Sequence, residues 1–379
     1  MAEPLAPGSV IGILGGGQLG RMLSVAASRL GFKICIYEPG SDCPASHVAN
    51  AHVQKPYDDA EALQAFAEAV DIVTYEFENI PPAALDLVEM LCPIHPNRDA
   101  LRISQDRILE KDFLTDLGMS CAPYANVESG ADLAAAVDTV GVPAILKTRR
   151  LGYDGKGQVR LKKPEQAAMA WTALKEVPSV LEGFVDFSRE ISVIGARDQD
   201  GRMVCFDPGE NIHRDGILHT TTVPAAVPHS LVTDAVLLAG RIMNALGYVG
   251  VMGVEMFVTP QGLLVNEIAP RVHNSGHWTQ NGCVACQFEQ HIRAIAGWPL
   301  GDGTRHSNVV MTNLIGAEIG DVGALSADPA VGVHLYGKAE AKPGRKMGHI
   351  NRIVKTCQDS PATLRIGSDC GHRGVFQRT

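Results

Sequence analysis

The sequence contains no stretch of about 18 apolar residues free of charge, the length a membrane span requires. The longest candidate, 242–265, is interrupted by Glu255, so no transmembrane helix is expected. Positive charge is in deficit: 33 Lys and Arg against 42 Asp and Glu give a net charge of −9. That argues against nucleic-acid binding by the surface as a whole and leaves only a local anion pocket open. The start of the chain lacks a basic n-region and a cleavage site, so no signal peptide is expected. Paired cysteines are also lacking. Nine of them, an odd number scattered from Cys35 to Cys370, suit reduced thiols in the cytoplasm better than a disulfide framework. Internal repeats and low-complexity tracts do not occur. What remains is a chain of 379 residues, 45 % hydrophobic and 20 % charged, which suits a folded protein of two or three domains.

The first hundred residues alternate between short apolar runs and helical patterns. Val10–Leu14, Lys33–Glu38, Asp71–Tyr75 and Pro93–His95 read as buried strands. Leu19–Leu30, Ala60–Ala69 and Pro82–Leu91 read as helices. Alternation of this kind predicts a doubly wound parallel sheet. From Ser104 the pattern changes. A helix over Ser104–Leu117, with Ser104 as N-cap and Gly118 as stop, leads into strands at Ala144–Thr148, Gln158–Lys162, Ser179–Phe184, Arg189–Arg197 and Arg202–Asp207. A helix over Leu231–Leu246, strands over Gly250–Val258 and Leu263–Ile268, and a helix over Gln287–Ala296 complete an α+β region. Beyond about Leu300 come short strands such as Val309–Ile315 and His334–Tyr336. The expected class is therefore α/β followed by α+β, with domains over 1–104, 105–298 and 299–354.

Five patterns carry chemistry. Gly15-x-Gly17-x-x-Gly20 lies between a strand and a helix, with Glu38 ending the next strand. This suits a dinucleotide, any other anion at a helix N-terminus, or simply a tight turn. Leu151–Gln158 holds three glycines in six residues and so offers mobile backbone N–H groups to phosphates, next to Lys147 in an apolar strand. That lysine either snorkels at a strand edge or faces an anion. The runs Gly253–Val258 and Leu263–Ile268 form a hairpin. If its loop is Pro260-Gln261-Gly262, Glu255 falls opposite Glu267. Two carboxylates among apolar neighbours repel unless a divalent cation joins them; in another register one of them faces solvent. Asn266–His277 is a dense polar loop directly after that strand. Its His273-x3-His277, followed by Cys283-x2-Cys286, imitates zinc-ligand spacing but leaves too little chain to wrap a tetrahedron. Finally, Lys338, Lys342, Arg345, Lys346, His349 and Arg352 form either a solvated face or an anion pocket.

The glycine loop, strand lysine and hairpin glutamates together describe an ATP site without a Walker motif, and they resemble the ATP-grasp superfamily. Several strings match one family within it: Gly15–Met22, Tyr75–Asn79, Gly152–Gln158, Glu182–Val185, Asn266–Gln280 and Pro343–His349. From about residue 8 to 354 the chain resembles the 5-(carboxyamino)imidazole ribonucleotide synthases, ATP-dependent carboxylating enzymes of purine synthesis. The resemblance implies an ATP-grasp fold: a Rossmann-like N-terminal domain, a central ATP-grasp domain and a small C-terminal domain. It implies ATP as co-substrate with Mg²⁺ or Mn²⁺, aminoimidazole ribonucleotide and bicarbonate as substrates, and a cytoplasmic homodimer. No nucleic acid and no membrane are implied as partners.

Site roles follow from the resemblance by position. Arg107, Lys147 and the loop Gly152, Tyr153, Asp154, Gly155, Lys156, Gly157 and Gln158 would hold the ATP phosphates. Glu182, Gly183, Phe184 and Val185 would line the adenine. Glu190 would take the ribose hydroxyls, with His213 and Asn266 also at the nucleotide. Glu255 and Glu267 would bind the metal. Gln18, Leu19, Glu76, Asn274, Lys338 and Arg345 would hold the ribonucleotide. Arg271, His273 and Tyr153 would orient bicarbonate. The tail 355–379 falls outside the resemblance and is expected to be loosely packed or disordered. A dehydrogenase would leave the hairpin glutamates without a use. A non-catalytic ATP-binding protein would not need Glu255, Glu267 and Arg271 together. A formate-using ATP-grasp transformylase is the nearest alternative.

Overall fold

The computed structural model describes residues 3–152 and 156–354. Strand β1 (Val10–Leu14) is buried and pairs in parallel with β2 (Lys33–Tyr37) and β4 (Ile72–Tyr75); β3 (Ala51–Val53) adds to β2, giving the order β3-β2-β1-β4. Helix α1 (Gln18–Arg29) joins β1 to β2, α2 (Ala60–Glu68) joins β3 to β4, and α3 (Pro82–Glu89) follows β4. Asp59 caps α2 through Ala62 N, and Gly31 at φ +84° ends the turn after α1. This is the expected doubly wound sheet. Its candidate strand at 93–95 is only a single bridge between Ile94 and Val73.

The helix expected over 104–117 is two helices. Ser104 closes α4 (Arg98–Ser104), and its hydroxyl donates to Leu101 O. The N-cap of α5 (Arg107–Asp116) is Asp106, extended at φ −129° and accepting from Ile108 N. Two residues separate the helices because that carboxylate satisfies an orphan N–H of α5.

A four-stranded antiparallel sheet follows: β5 (Tyr124–Val127), β6 (Ala144–Thr148), β7 (Gln158–Leu161) and β8 (Ser179–Gly183), in the order β5-β8-β6-β7. It is covered by α6 (Gly130–Val140) and α7 (Ala167–Ala173), whose inner faces join Leu146, Leu161 and Leu181 in one apolar cluster. A larger antiparallel sheet comes next. Its strands are β9 (Arg189–Arg197), β10 (Met203–Cys205), β11 (Gly209–Arg214), β12 (Ile217–Val223), β13 (Gly250–Thr259) and β14 (Gly262–Ala269). Helix α8 (His229–Ala245) backs it, burying Ala235, Ala239 and Ile242. After the short α9 (Thr279–Gly282), helix α10 (Gln287–Ile295) packs with α1 in one core that includes Leu23 and Ile292.

Strands β15 (Asn308–Ile315), β16 (Val331–Leu335) and β17 (Lys346–Val354) do not form a sheet of their own. They extend the large one in the order β14-β13-β9-β11-β12-β15-β17-β16, because Val223–Thr220 pair with Val309–Thr312. No helix among the described residues is long and apolar enough to cross a membrane.

Candidate active site

The β13–β14 hairpin is the base of the site. Its turn is tighter than expected: Thr259 pairs with Gly262, leaving Pro260-Gln261 as the loop, and Gly262 sits at φ +117°, where a Cβ would be strained. A straight continuation of that register would set Glu255 against Asn266. Instead Met256 pairs with Val265 and Glu255 with Glu267, so Asn266 is an extra residue, a β-bulge. The two glutamates therefore face each other, although the loop assumed from the sequence was one residue too long. Burial, followed by the charge of Glu267, pushes the Glu255 carboxyl up to about 7. His273 Nε2 lies 3.5 Å from Glu255, and Arg107 Nη1 lies 3.4 Å from Glu267.

Above the hairpin is a cavity of about 600 Å³. The start of α5 delivers Arg107 to it, and β6 delivers Lys147. Gly152, Lys156 and Gln158 of the glycine-rich loop line it, as do Glu190, His213 and Asn266. Lys147 is committed rather than snorkelling: its Nζ donates to Glu182 Oε2 at 2.9 Å, and the fully buried Lys111 approaches the other oxygen of Glu182 at 3.5 Å. His213 Nδ1 is 2.6 Å from Glu190 Oε2. Burial opposes the imidazolium, but the Glu190 carboxylate outweighs it and raises the His213 pKa. Gly157 is outside the lining, with Thr148 Oγ1 2.7 Å from where its Cβ would stand. Tyr153, Asp154 and Gly155, and the tail 355–379, lie outside the described residues.

The stretch 182–185 lies beside the cavity and not in its wall. The N–H groups of Gly183 and Phe184 already donate to Pro123 O (2.8 Å) and Pro143 O (2.9 Å), because β8 is bonded on both sides. The Phe184 ring is exposed beneath the guanidinium of Arg160, 4.2 Å away.

On the N-terminal side the glycine fingerprint is already filled. Glu76, at the end of β4, accepts from Gly17 N (2.6 Å) and Gly20 N (3.0 Å), and Glu38 accepts from Gly16 N (3.1 Å). A Cβ on Gly17 would stand 2.5 Å from Glu76 Oε1, so the glycine admits a carboxylate of the same chain. A pyrophosphate would have to displace it, which removes the dinucleotide reading. Gln18, Leu19 and Glu76 line the cavity. Lys338 Nζ donates to Gln18 Oε1 and to Lys346 O.

Arg271 pairs with Glu78 at 2.7 Å, and its Nε is buried with no hydrogen-bond partner among the described residues. His273 is held through Nδ1 by the Ser275 hydroxyl at 2.9 Å. Burial and then Arg271 drive its pKa well down, so the imidazole is neutral. Asn274 exchanges two amide hydrogen bonds with Asn313.

The run of basic residues near the end is not one patch. Lys346 lines the cavity; Arg345 does not, and its guanidinium donates to Glu340 O at 3.0 Å. Lys342 pairs with Glu340, Arg352 pairs with Asp328, and His349 is buried against His277 and His334. Only Lys346, His349 and Arg352 lie on β17; Lys342 and Arg345 precede it.

Three family models match in order: a ribonucleotide synthetase preATP-grasp domain over 9–105, an ATP-grasp domain over 112–288, and a phosphoribosylaminoimidazole carboxylase C-terminal domain over 309–361. The N5-carboxyaminoimidazole ribonucleotide synthase of Brucella melitensis is 53 % identical over 352 residues, covering 92 % of this chain and 97 % of its own. The chain belongs to this synthase family. A crystal structure of a family member with ADP superposes with a TM-score of 0.91 at 40 % identity, over 94 % of this chain and 96 % of that one. The Aspergillus clavatus enzyme, in complex with ADP and 5-aminoimidazole ribonucleotide, gives 0.87 at 31 % identity, over 93 % and 95 %.

Four charged residues of the cavity had no role assigned from the sequence: Glu78, Glu110, Arg149 and Lys346. Glu78 and Lys346 sit inside strings already singled out, Tyr75–Asn79 and Pro343–His349, so their neighbours were the available signal. Glu110 and Arg149 carried none. Glu110 faces inward from α5 and is buried, which pushes its carboxyl up to about 8, with Glu267 adding to the shift. Arg149 grips Asp106 through two nitrogens at 3.0 and 2.7 Å, joining the start of the glycine-rich loop to the cap of α5.

The zinc-like spacing has a structural explanation. His277 Nδ1 is hydrogen-bonded to Gln287 at 3.0 Å, and Cys283 and Cys286 are buried thiols whose pKa values burial raises. No metal-binding group of three His, Cys, Asp or Glu occurs among the described residues. Cys283→Ser with Cys286→Ser is expected to keep turnover within about twofold, with some loss of thermal stability from placing two hydroxyls in an apolar site. Stoichiometric zinc in the purified protein, lost together with turnover in the double mutant, would contradict this.

Proposed function

We propose that this cavity carboxylates 5-aminoimidazole ribonucleotide with bicarbonate at the expense of ATP, through a carboxyphosphate intermediate. Family membership makes the chain an ATP-dependent ligase of purine biosynthesis. The observation that carries the detailed reading is the convergence of three elements on one cavity: the Glu255–Glu267 pair with Arg107, the pair Arg271 and His273, and the filled N-terminal turn bearing Gln18.

The donor set fits a hard divalent cation. Two carboxylates face each other, and burial, followed by the charge of Glu267, pushes Glu255 up to about 7. Oxygen ligands of this kind suit Mg²⁺ or Mn²⁺. When bound, the ion would neutralise phosphate oxygens of ATP. Arg107 and the N–H groups of the glycine-rich loop then hold the phosphates, joined by Lys147, while Glu190 and His213 meet the ribose. We assign the adenine to the side of 182–185, next to the exposed Phe184 ring.

A bicarbonate oxygen attacks the γ-phosphorus, the bond to the ADP oxygen breaks, and ADP leaves carrying the charge. Bicarbonate is a weak nucleophile, so its orientation matters. The unpartnered Nε–H of Arg271 offers a fixed donor to one of its oxygens. His273, being neutral, acts as a hydrogen-bonding group and not as a cation. In the second step the exocyclic amine forms a bond to the carboxyl carbon of carboxyphosphate, or to CO₂ released from it. The bond from that carbon to the phosphate oxygen breaks, phosphate departs and the amine loses a proton. Gln18, Leu19, Glu76, Asn274 and Lys338 position the ribonucleotide, and Arg345 and Lys346 supply positive charge for its phosphate. We place Tyr153 with Arg271 and His273 around the bicarbonate of the first step. The enzyme is read as a cytoplasmic homodimer.

The test is ADP release in bicarbonate-depleted buffer, with and without aminoimidazole ribonucleotide, then after bicarbonate is restored. The expected result is rapid ADP release only when ATP, bicarbonate and the ribonucleotide are all present, with carboxylated ribonucleotide formed in equal amount. Rapid ADP release on adding formate in place of bicarbonate would point to the transformylase instead.

A further inference from the structure

The Glu255–Glu267 pairing depends on one extra residue, and nothing in the hairpin itself explains why the extra residue sits where it does. The two-residue turn sets Thr259 against Gly262 and would place Glu255 against Asn266. Side chains alternate along a strand, so Glu267 would then point to the opposite face, toward the apolar cluster that holds Val265 and Ile268. The bulge at Asn266 prevents this. Val265 and Ile268 are both in the core although three residues apart, and Asn266 and Glu267 between them both line the cavity.

Strand β14 is an edge of the large sheet, so the sheet restrains only its inner side. On its outer side, two contacts bracket the bulge. Val265 N donates to Ser120 O at 2.8 Å, in the segment just after α5, and Ile268 N donates to Glu110 Oε1 at 2.7 Å, from α5 itself. Glu110 is 3 % exposed, so no water competes for that N–H as it would at an open edge. Arg107, which reaches Glu267, lies three residues earlier on α5, on the neighbouring position of the same helix face.

We infer that Glu110 is a positioning residue: by holding Ile268 N it fixes the β14 bulge and keeps Glu267 on the face of Glu255. This rests on the reading of that pair as a metal site. The requirement is for an acceptor oxygen at this place, not for a charge. Glutamine supplies the same oxygen at the same reach. Methionine has similar length and tolerates burial but cannot accept a strong hydrogen bond.

The experiment measures Mn²⁺ affinity by electron paramagnetic resonance in the presence of ADP, for wild type, Glu110→Gln and Glu110→Met, alongside the KM for aminoimidazole ribonucleotide. Glu110→Gln is expected within about threefold of wild type in Mn²⁺ affinity. Glu110→Met is expected to bind Mn²⁺ at least about tenfold more weakly, a difference of about 1.4 kcal/mol, with the ribonucleotide KM within about twofold. A crystal structure of Glu110→Met should show Glu255 opposite Asn266, or a disordered bulge. Equal affinity in all three proteins would overturn the inference, and so would an equal loss in both variants. If Glu110→Met does not fold, a loss of affinity in Glu110→Gln, which keeps the acceptor, overturns it and retention supports it. Absence of Mn²⁺ binding by the wild type would instead refute the metal reading beneath it.

Discussion

Glu267→Gln is expected to lower kcat on the order of 100-fold or more and to shift the Mg²⁺ requirement to much higher concentration. The substitution preserves size and hydrogen bonding but removes one of two facing charges. Its effect on the metal-free protein should have the opposite sign. Burial and Glu267 raise the Glu255 pKa from 4.5 to about 7, so the folded state binds that proton more tightly than the unfolded chain does. The stability linked to it is fully present below the unfolded value of 4.5 and is lost as the pH rises through about 7. Removing the Glu267 charge takes away one cause of the shift. The metal-free variant should therefore lose less melting temperature than wild type between pH 4.5 and 7, and Mg²⁺ should reduce the loss in wild type. Full kcat with unchanged Mg²⁺ dependence would show that Glu267 is not a ligand.

The second large effect is expected at Arg271. Arg271→Lys retains the charge but replaces a planar fork by a point donor. The fork is in use: Nη2 holds Glu78 at 2.7 Å, Nη1 holds Val272 O at 3.0 Å, and Nε remains for the substrate. A lysine cannot serve all three. A fall in kcat of about 100-fold or more is expected, in the range seen for removal of one oriented donor to a developing charge. The KM for ATP should stay within about threefold, because its phosphates are held from α5, β6 and the glycine-rich loop. Lysine is preferred to alanine here, since truncation would strand the half-buried Glu78 carboxylate and confuse folding with chemistry. A kcat close to wild type, or a rise in the KM for ATP that accounts for the whole loss, would remove Arg271 from the reacting groups.

The parts of this molecule legible in the sequence are those decided over a few residues. The apolar runs of β1, β6 and β9 stand at the expected positions because buried strands need continuous or alternating apolar residues and little else. The turn after β1 and the stop after α1 follow from glycines whose backbone angles other residues resist. The ATP-grasp resemblance was readable for a related reason: its strings sit where several functional groups share one short loop.

Contacts between distant segments were not legible. The acid that fills the glycine turn, Glu76, is 59 residues from Gly17, and nothing near the fingerprint distinguishes a carboxylate of the chain from a ligand's phosphate. The split between α4 and α5 depends on Asp106, which Arg149 grips from the glycine-rich loop. The basic run dispersed because its members pair separately, Lys342 with Glu340 and Arg352 with Asp328, and His349 packs between His277 and His334. The hairpin shows the division most clearly. Its strands and turn are local, and the turn alone would separate Glu255 from Glu267. A bulge between Val265 and Glu267, flanked by Ser120 and Glu110, brings the two carboxylates together. Residue type and spacing determined which groups were available; side-chain parity at one edge strand, held from a neighbouring helix, decided which of them meet.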